Sequence, residues 1–348
     1  MFRSFIGRML DWLIAIAVVC ALLWFLITQP LLPVQTVSNL PKVNQSNLKN
    51  HVTNLWHIHA SKTLARESLT TDSYIFNYFS RLGKPSFQGY STMSGRHNNV
   101  RLRLGPKTKE RVVIGVQYLP PTGPERLYWN PSGISVLLET ARVLALLEKE
   151  LPLSVELVAY ASSGVAANGT LEMGSLHHAH LLKDENIPVK LMISLKSVGF
   201  FTEAHRTQRY PFSFMRVLYP DTGNFISLSS RLQDFVAMRT VKRSFLRIPE
   251  LPVESFSAPE NVPLVAGSDH VNYWLNDYPA VQVSDMLPLR VTADEYSPET
   301  TALDYERMAR VVQGLVQVVS DLEKPSEQSD MDQGIWSEVV ARLSKFFE

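Results

Sequence analysis

Hydrophobic residues follow two regimes along the chain. Near the N-terminus they are continuous: Trp12 to Thr28 reads WLIAIAVVCALLWFLIT, seventeen residues without a charge, at the short end of the roughly 17–25 residues that a helix needs to cross a bilayer. Beyond residue 48 they become periodic. Leu48, Val52, Leu55 and Trp56 recur at helical spacing, and Ser73 to Leu82 places Ile75, Tyr78 and Phe79 on one side. Val100 to Leu104 alternates as a strand should, and Val112 to Tyr118 (VVIGVQY) is a short apolar run. A helix is predicted over Gly133 to Glu150, a strand over Ser154 to Tyr160 (SVELVAY), a helix over Met173 to Leu182 and a strand over Val189 to Leu195. Asp221 to Met238, Asp269 to Leu275 and Leu303 to Ser320 read as helical, while Phe214 to Tyr219 and Ala280 to Ser284 read as extended.

Strands alternating with helices predict an α/β fold with a mostly parallel central sheet flanked by helices, plus one N-terminal transmembrane helix. The expected organisation is a cytoplasmic stub and anchor over 1–28, a linker over 29–47, a folded domain over 48–324, and a tail over 325–348. The linker reading rests on three prolines and little periodicity. The tail is polar at first and then amphipathic from Ile335 to Phe347, a helix that either docks on the domain or lies in a membrane interface.

Arg3 and Arg8 precede the apolar run, and no Lys or Arg follows it before Lys42. That asymmetry places the N-terminus in the cytoplasm and the domain on the extracytoplasmic side of a cell membrane, periplasmic in a Gram-negative cell. A cleaved signal peptide is the competing reading, but Trp24, Phe25, Leu26 and Ile27 stand where small residues should mark cleavage. Membrane contact is thus expected through residues 12–28.

Charge narrows the partners. Thirty-four Lys plus Arg against 33 Asp plus Glu leave a net charge of +1, without the basic excess usual in nucleic-acid binders. Cys20 is the sole cysteine, so no intrachain disulfide or cysteine-based zinc site can form.

Six ordered strings carry a family pattern: VVIGVQYLPP, WNPSGISVLLETARVLA, VELVAYASSGVAANGTLEMGS, KLMISLKSVGFF, AGSDHVNYWLNDYPAVQVSD and LDYERMARVVQGL. Together, over about Leu48 to Asp321, they resemble the M28 zinc aminopeptidases. The resemblance implies a mixed, mostly parallel sheet flanked by helices. It also implies two hydrolytic zinc ions held by His and carboxylate groups, with a Glu as general base.

Position by position, the expected donors are missing. The family's His-x-Asp falls on Gln117-Tyr118-Leu119, its bridging Asp on Trp129, its Glu-Glu pair on Ser163 and Gly164, and its next acidic ligand on Lys196. The Tyr-His-Thr that supplies the last ligand is reduced to Tyr296-Ser297. Asn130, Asp269, His270 and Tyr296 remain as candidate cleft residues. An indole cannot ligate zinc, and a lysine ammonium repels it unless its pKa is strongly depressed. No catalytic residue, resident metal or other cofactor is therefore expected, although the family resemblance on its own would imply zinc.

These residues predict a catalytically inactive, membrane-anchored M28-like protein that binds a peptide or a protein partner. An ion pair between Lys196 and Asp269 is expected in place of the metal. Three alternatives stay open: an active metallo-aminopeptidase with an atypical zinc site built from His270 and His177, His178 and His180; a Ser163–Lys196 hydrolase; and a scaffold whose cleft Trp129 plugs. His57 and His59 are expected to be surface or packing residues. Asn44-Gln-Ser46 and Asn168-Gly-Thr170 match glycosylation acceptors.

Overall fold

The computed structural model describes residues 2–63, 70–93, 95–118, 129–162, 170–262, 265–290 and 302–322. In chain order the elements are α1 (Phe2–Thr28), α2 (Gln45–Thr63), α3 (Thr71–Phe79), β1 (Ser86–Thr92), β2 (Gly95–Leu104), β3 (Arg111–Gln117), α4 (Pro131–Leu146), β4 (Ser154–Tyr160), α5 (Gly174–Asp184) and β5 (Val189–Lys196). They continue with α6 (Met215–Leu218), β6 (Ile226–Arg231), α7 (Phe235–Leu246), β7 (Val253–Ala258), α8 (His270–Trp274), β8 (Ala280–Ser284) and α9 (Tyr305–Asp321).

The strands form one eight-stranded sheet in the order β1-β2-β4-β3-β5-β8-β6-β7. Its centre is parallel, β4 with β3, β3 with β5 and β5 with β8. Antiparallel pairings join β1 to β2, β2 to β4 and β6 to β8. Every residue of β4 is buried, as expected for a strand covered on both faces. One face carries α2, α3, α4, α7 and α9 over a core that includes Leu137, Val283, Phe245 and Leu315. The other carries α5 and α8 over Tyr160, Met192, Tyr273 and Trp274.

Gly115 marks a close approach at the sheet centre, where an added Cβ would stand 2.2 Å from Tyr160 Cε2. Gly115→Ala should cost about 1–3 kcal/mol through overpacking, measurable as a lower midpoint in urea. An unchanged midpoint would mean that Tyr160 moves aside freely.

Several sequence expectations need correction. Asp221 to Met238 is not one helix: residues 226–231 form β6, and α7 starts only at Phe235. Ile226 and Leu228 alternate with Ser227 and Ser229, a period-two pattern that the sheet exploits by pairing β6 with β8 and β7. Phe214 to Tyr219 holds one helical turn rather than an extended segment, since it lies off the sheet and has no strand to pair with. Strands β1 and β7 had no counterpart in the sequence reading. Both are rich in polar residues (SFQGYST and VESFSA) and carry little apolar signal.

Residues 29–44 contain no helix or strand, yet they are strapped to the domain. Gln29 is fully buried and donates from Nε2 to Ser257 Oγ at 2.8 Å. Val37 N donates to Arg247 O, Gln313 Nε2 to Pro41 O, and Asn44 N to Glu139 Oε1. Glu139 is itself held by Arg142 at 2.6 Å. The strap runs across α7, α9 and α4, satisfying backbone groups that a free tether would leave to water.

The first helix carries an apolar stretch, Met9–Thr28, of mean hydropathy 2.6 with none of its most apolar window buried. Such a helix fits a membrane anchor or a signal sequence. The amphipathic segment 335–347 lies outside the described residues.

Candidate functional site

The carboxyl ends of β3, β4, β5 and β8 lie side by side. Gln117 is in register with Tyr160, Val116 with Leu195, and Lys196 with Ser284. In open α/β sheets this edge is where ligands bind, and the sequence-derived candidates Gln117, Lys196, Trp129 and Asn130 gather around it.

Asn130 is committed to structure. It caps α4, its Oδ1 accepting from Gly133 N at 2.8 Å and from Ser197 N at 2.9 Å, while Nδ2 donates to Leu195 O at 2.8 Å. Ser132 Oγ accepts from Val198 N at 3.1 Å. The start of α4 is thereby stitched to the end of β5, with both acceptor sites of Asn130 Oδ1 and one of its two Nδ2 hydrogens taken by backbone groups. Trp129, one residue earlier, is 4% exposed. Its ring lies 5.1 Å from that of Trp56 and 4.7 Å from that of His59, both on α2.

Lys196 ends β5, and its ammonium donates to Gly267 O. Burial lowers its pKa to about 8, opposed by the nearby Asp269. Asp269 is buried and its pKa is raised to about 6 by desolvation, opposed by a hydrogen bond from Ser175 and by Lys196. The two residues attract through space, with the ammonium's hydrogen bond directed at a carbonyl two residues before the carboxylate. Asp269 Oδ1 has no hydrogen-bond partner among the described groups.

A pH dependence follows. A carboxylate whose folded pKa is raised favours the folded state below its unfolded pKa, and that contribution is lost as pH rises through the folded value. Between about pH 4 and 6, the wild type should lose stability relative to Asp269→Asn by an amount on the order of 2 kcal/mol. Urea titrations of both proteins across this window check it; a constant difference would show that Asp269 is not desolvated.

His270 is fully buried, with Nε2 donating to Val265 O at 2.6 Å and its ring edge-on to Trp274 at 4.5 Å. Desolvation lowers its pKa to about 3, the Val265 carbonyl opposing and Lys196 adding to the drop, so the ring is neutral.

The α5 histidines do not converge on one another or on His270. His177 stacks on Tyr90 at 4.1 Å and bonds Leu171 O, and His180 is exposed. His178 is buried, with Nδ1 2.6 Å from Tyr273 Oη and Nε2 3.5 Å from Glu156 Oε1. Among the described residues no group of three or more His, Cys, Asp or Glu side chains could hold a metal ion. Of the positions that the family resemblance assigns to zinc, Gln117, Trp129 and Lys196 are described. An amide, an indole and an ammonium do not fit a hydrolytic zinc centre. Leu119, Ser163, Gly164, Tyr296 and Ser297 lie outside the described residues, and so does Asn168. Asn44 lies at the start of α2, where its Oδ1 accepts from Ser46 N at 2.9 Å.

Two features of this edge escaped the sequence reading. Ser197, directly after Lys196, and Met286, two residues beyond β8, both adopt left-handed backbone at φ 44° and 58°, unusual for residues with a Cβ. Asp285 ties them together: its N donates to Ser197 O, Oδ2 accepts from Gly199 N and Phe200 N, and Oδ1 accepts from Leu287 N. Beneath the edge, Tyr160 Oη, Tyr273 Oη and His178 form a buried hydrogen-bonded chain that approaches Glu156. The lone carboxylate in the otherwise apolar run SVELVAY was a legible signal for it.

No protein-family model matches the chain. The uncharacterized protein YfbL of Escherichia coli is 38% identical over 233 residues, covering 64% of this chain and 70% of that one. Among solved structures, LapB from Legionella pneumophila superposes with a TM-score of 0.55 at 20% identity, over 81% of this chain and 72% of that chain. A Zn-dependent exopeptidase from Parabacteroides distasonis gives 0.55 at 14% identity over 81% and 100%. The glutaminyl cyclase of Tannerella forsythia gives 0.55 at 16% over 82% and 100%. At these identities the likeness establishes a common aminopeptidase-like fold.

Proposed function

The chain belongs to one family with YfbL of Escherichia coli, and for this member we propose a membrane-anchored, zinc-free aminopeptidase-like protein that binds a peptide or a protein partner without cleaving it. The observation that carries the proposal is Lys196. A cationic side chain stands at the end of the central strand β5, at a position that the M28 resemblance assigns to an acidic zinc ligand. A positive charge there disfavours a divalent cation by direct repulsion. The nearby acid, Asp269, is drawn into balancing Lys196.

The apolar helix α1 supports a single-pass anchor, and Arg3 and Arg8 ahead of it support a cytoplasmic N-terminus with the domain on the extracytoplasmic side. The scaffold alternative draws on Trp129, which fills the position of a bridging carboxylate with an indole packed under Trp56 and His59.

Full-length protein in detergent, supplied with zinc and a panel of unblocked peptides, should release no amino-terminal residues above the blank, and the same peptides should bind saturably. Chelator-sensitive release would overturn the proposal. Absence of both release and binding would favour the scaffold.

A further inference from the structure

We infer that the domain sits directly on the bilayer, with the aromatic turn Phe212 to Val217 inserted in the lipid interface beside the anchor. The inference rests on the reading of α1 as a membrane span.

The span has no slack. Twenty residues, Met9–Thr28, make a helix about 30 Å long, which matches the hydrocarbon thickness of a bilayer, also about 30 Å. The last turn of that helix is already part of the domain. Phe25 lies 6.1 Å from Phe235, and Arg239 stands over both rings at 5.8 and 5.4 Å. Ile27 packs against the core that contains Tyr219 and Phe256. Thr28 O accepts from Lys242 Nζ at 2.8 Å and from Ser255 Oγ at 2.6 Å, and Gln29 O accepts from Lys242 at 3.1 Å. A lysine at the carbonyl end of a helix also balances its dipole. If the apolar run fills the hydrocarbon layer, the surface around its exit must lie at headgroup depth.

Beside that exit is an apolar patch that water alone does not explain. Phe212 and Phe214 are 42% and 51% exposed and stack at 5.8 Å, and Val217 is 85% exposed. The patch is joined to the junction through one residue: Tyr219 Oη donates to Ser255 O at 2.8 Å, and the same Ser255 holds Thr28. Arg209 and Arg216 are exposed on this segment. Aromatic rings with flanking arginines are the composition of an interfacial contact, and the continuity of the patch with the anchor names the bilayer as its occupant.

The test uses the full chain in phosphatidylcholine–phosphatidylglycerol vesicles, with nitroxide labels at Phe214→Cys or Val217→Cys in a Cys20→Ser background. Further labels go on native Cys20 and on Met93→Cys in the turn at the opposite sheet edge. Accessibility to oxygen is compared with accessibility to a water-soluble nickel chelate. The oxygen-to-nickel ratio at 214 and 217 should exceed that at 93 several-fold. Ratios at 214 and 217 equal to that at 93, with Cys20 lipid-exposed, would overturn the seated domain while leaving the anchor intact. An aqueous Cys20 would overturn both.

Discussion

Glu156→Ala should lower the melting temperature by roughly 10 °C. The carboxylate is almost fully buried in β4 and accepts from Arg111 Nη1 at 2.7 Å. Arg101 Nη1 and His178 Nε2 stand 3.7 and 3.5 Å from its other oxygen. Burial opposes its charge, but His178 and Arg111 more than compensate and hold its pKa well below the ordinary carboxylate range. Arg103 faces it directly across the β2–β4 pairing. Removing the single acid would strand buried Arg111 among like charges, and breaking such a pair costs about 3–5 kcal/mol. For a domain of this size each kcal/mol is worth about 2–4 °C. The sign with pH is the reverse of that for Asp269. A depressed carboxylate contributes stability above its unfolded pKa and loses it as pH falls toward the folded value. The advantage of wild type over Glu156→Gln should therefore shrink on acidification below about pH 4. A melting temperature unchanged in Glu156→Ala would mean that the arginines reach water in the folded protein.

Trp129→Ala should be comparably damaging, with a loss of about 3–5 kcal/mol, the usual cost of truncating a buried tryptophan. The indole packs between the start of α4 and α2, and Asn130 and Ser132 pin the adjacent backbone to the end of β5, which resists collapse into the space left. Trp129→Asp would install the residue type that the M28 resemblance assigns to this position. It should be less stable still, since its carboxylate would meet Trp56 and His59 rather than a metal. Urea unfolding followed by fluorescence measures both. An Asp variant as stable as wild type would indicate a cation at this position and would count against a packing role for Trp129.

Much of the sheet was readable from apolar runs. Ser154–Tyr160 and Ala280–Ser284 are strands with the expected bounds, and α4 and α9 follow helical periodicity. What escaped depends on distant partners. The strap at 29–44 looked like a linker because nothing in PLLPVQTVSNLPKVN is periodic. Its backbone is captured by Lys242 at Gln29 O, Arg142 at Lys42 O and Gln313 at Pro41 O, residues 100 to 272 positions away. Strand β7 mixes two serines and a glutamate with three apolar residues without alternation, a pattern that acquires meaning only from its place at the sheet edge beside α1.

The site divides in the same way. That an indole at 129 and an ammonium at 196 are poor zinc ligands follows from chemical type alone. That Asn130 is an internal tie and His270 a buried neutral ring required the fold. Asp285, an acidic residue just past the end of β8, carries no distinctive local signal in the sequence.

The proposal that the chain holds no functional zinc centre can be tested by counting metal. Full-length protein, saturated with zinc and then desalted, should retain well under one zinc ion per chain by elemental mass spectrometry. Two zinc ions held per chain after desalting would contradict it.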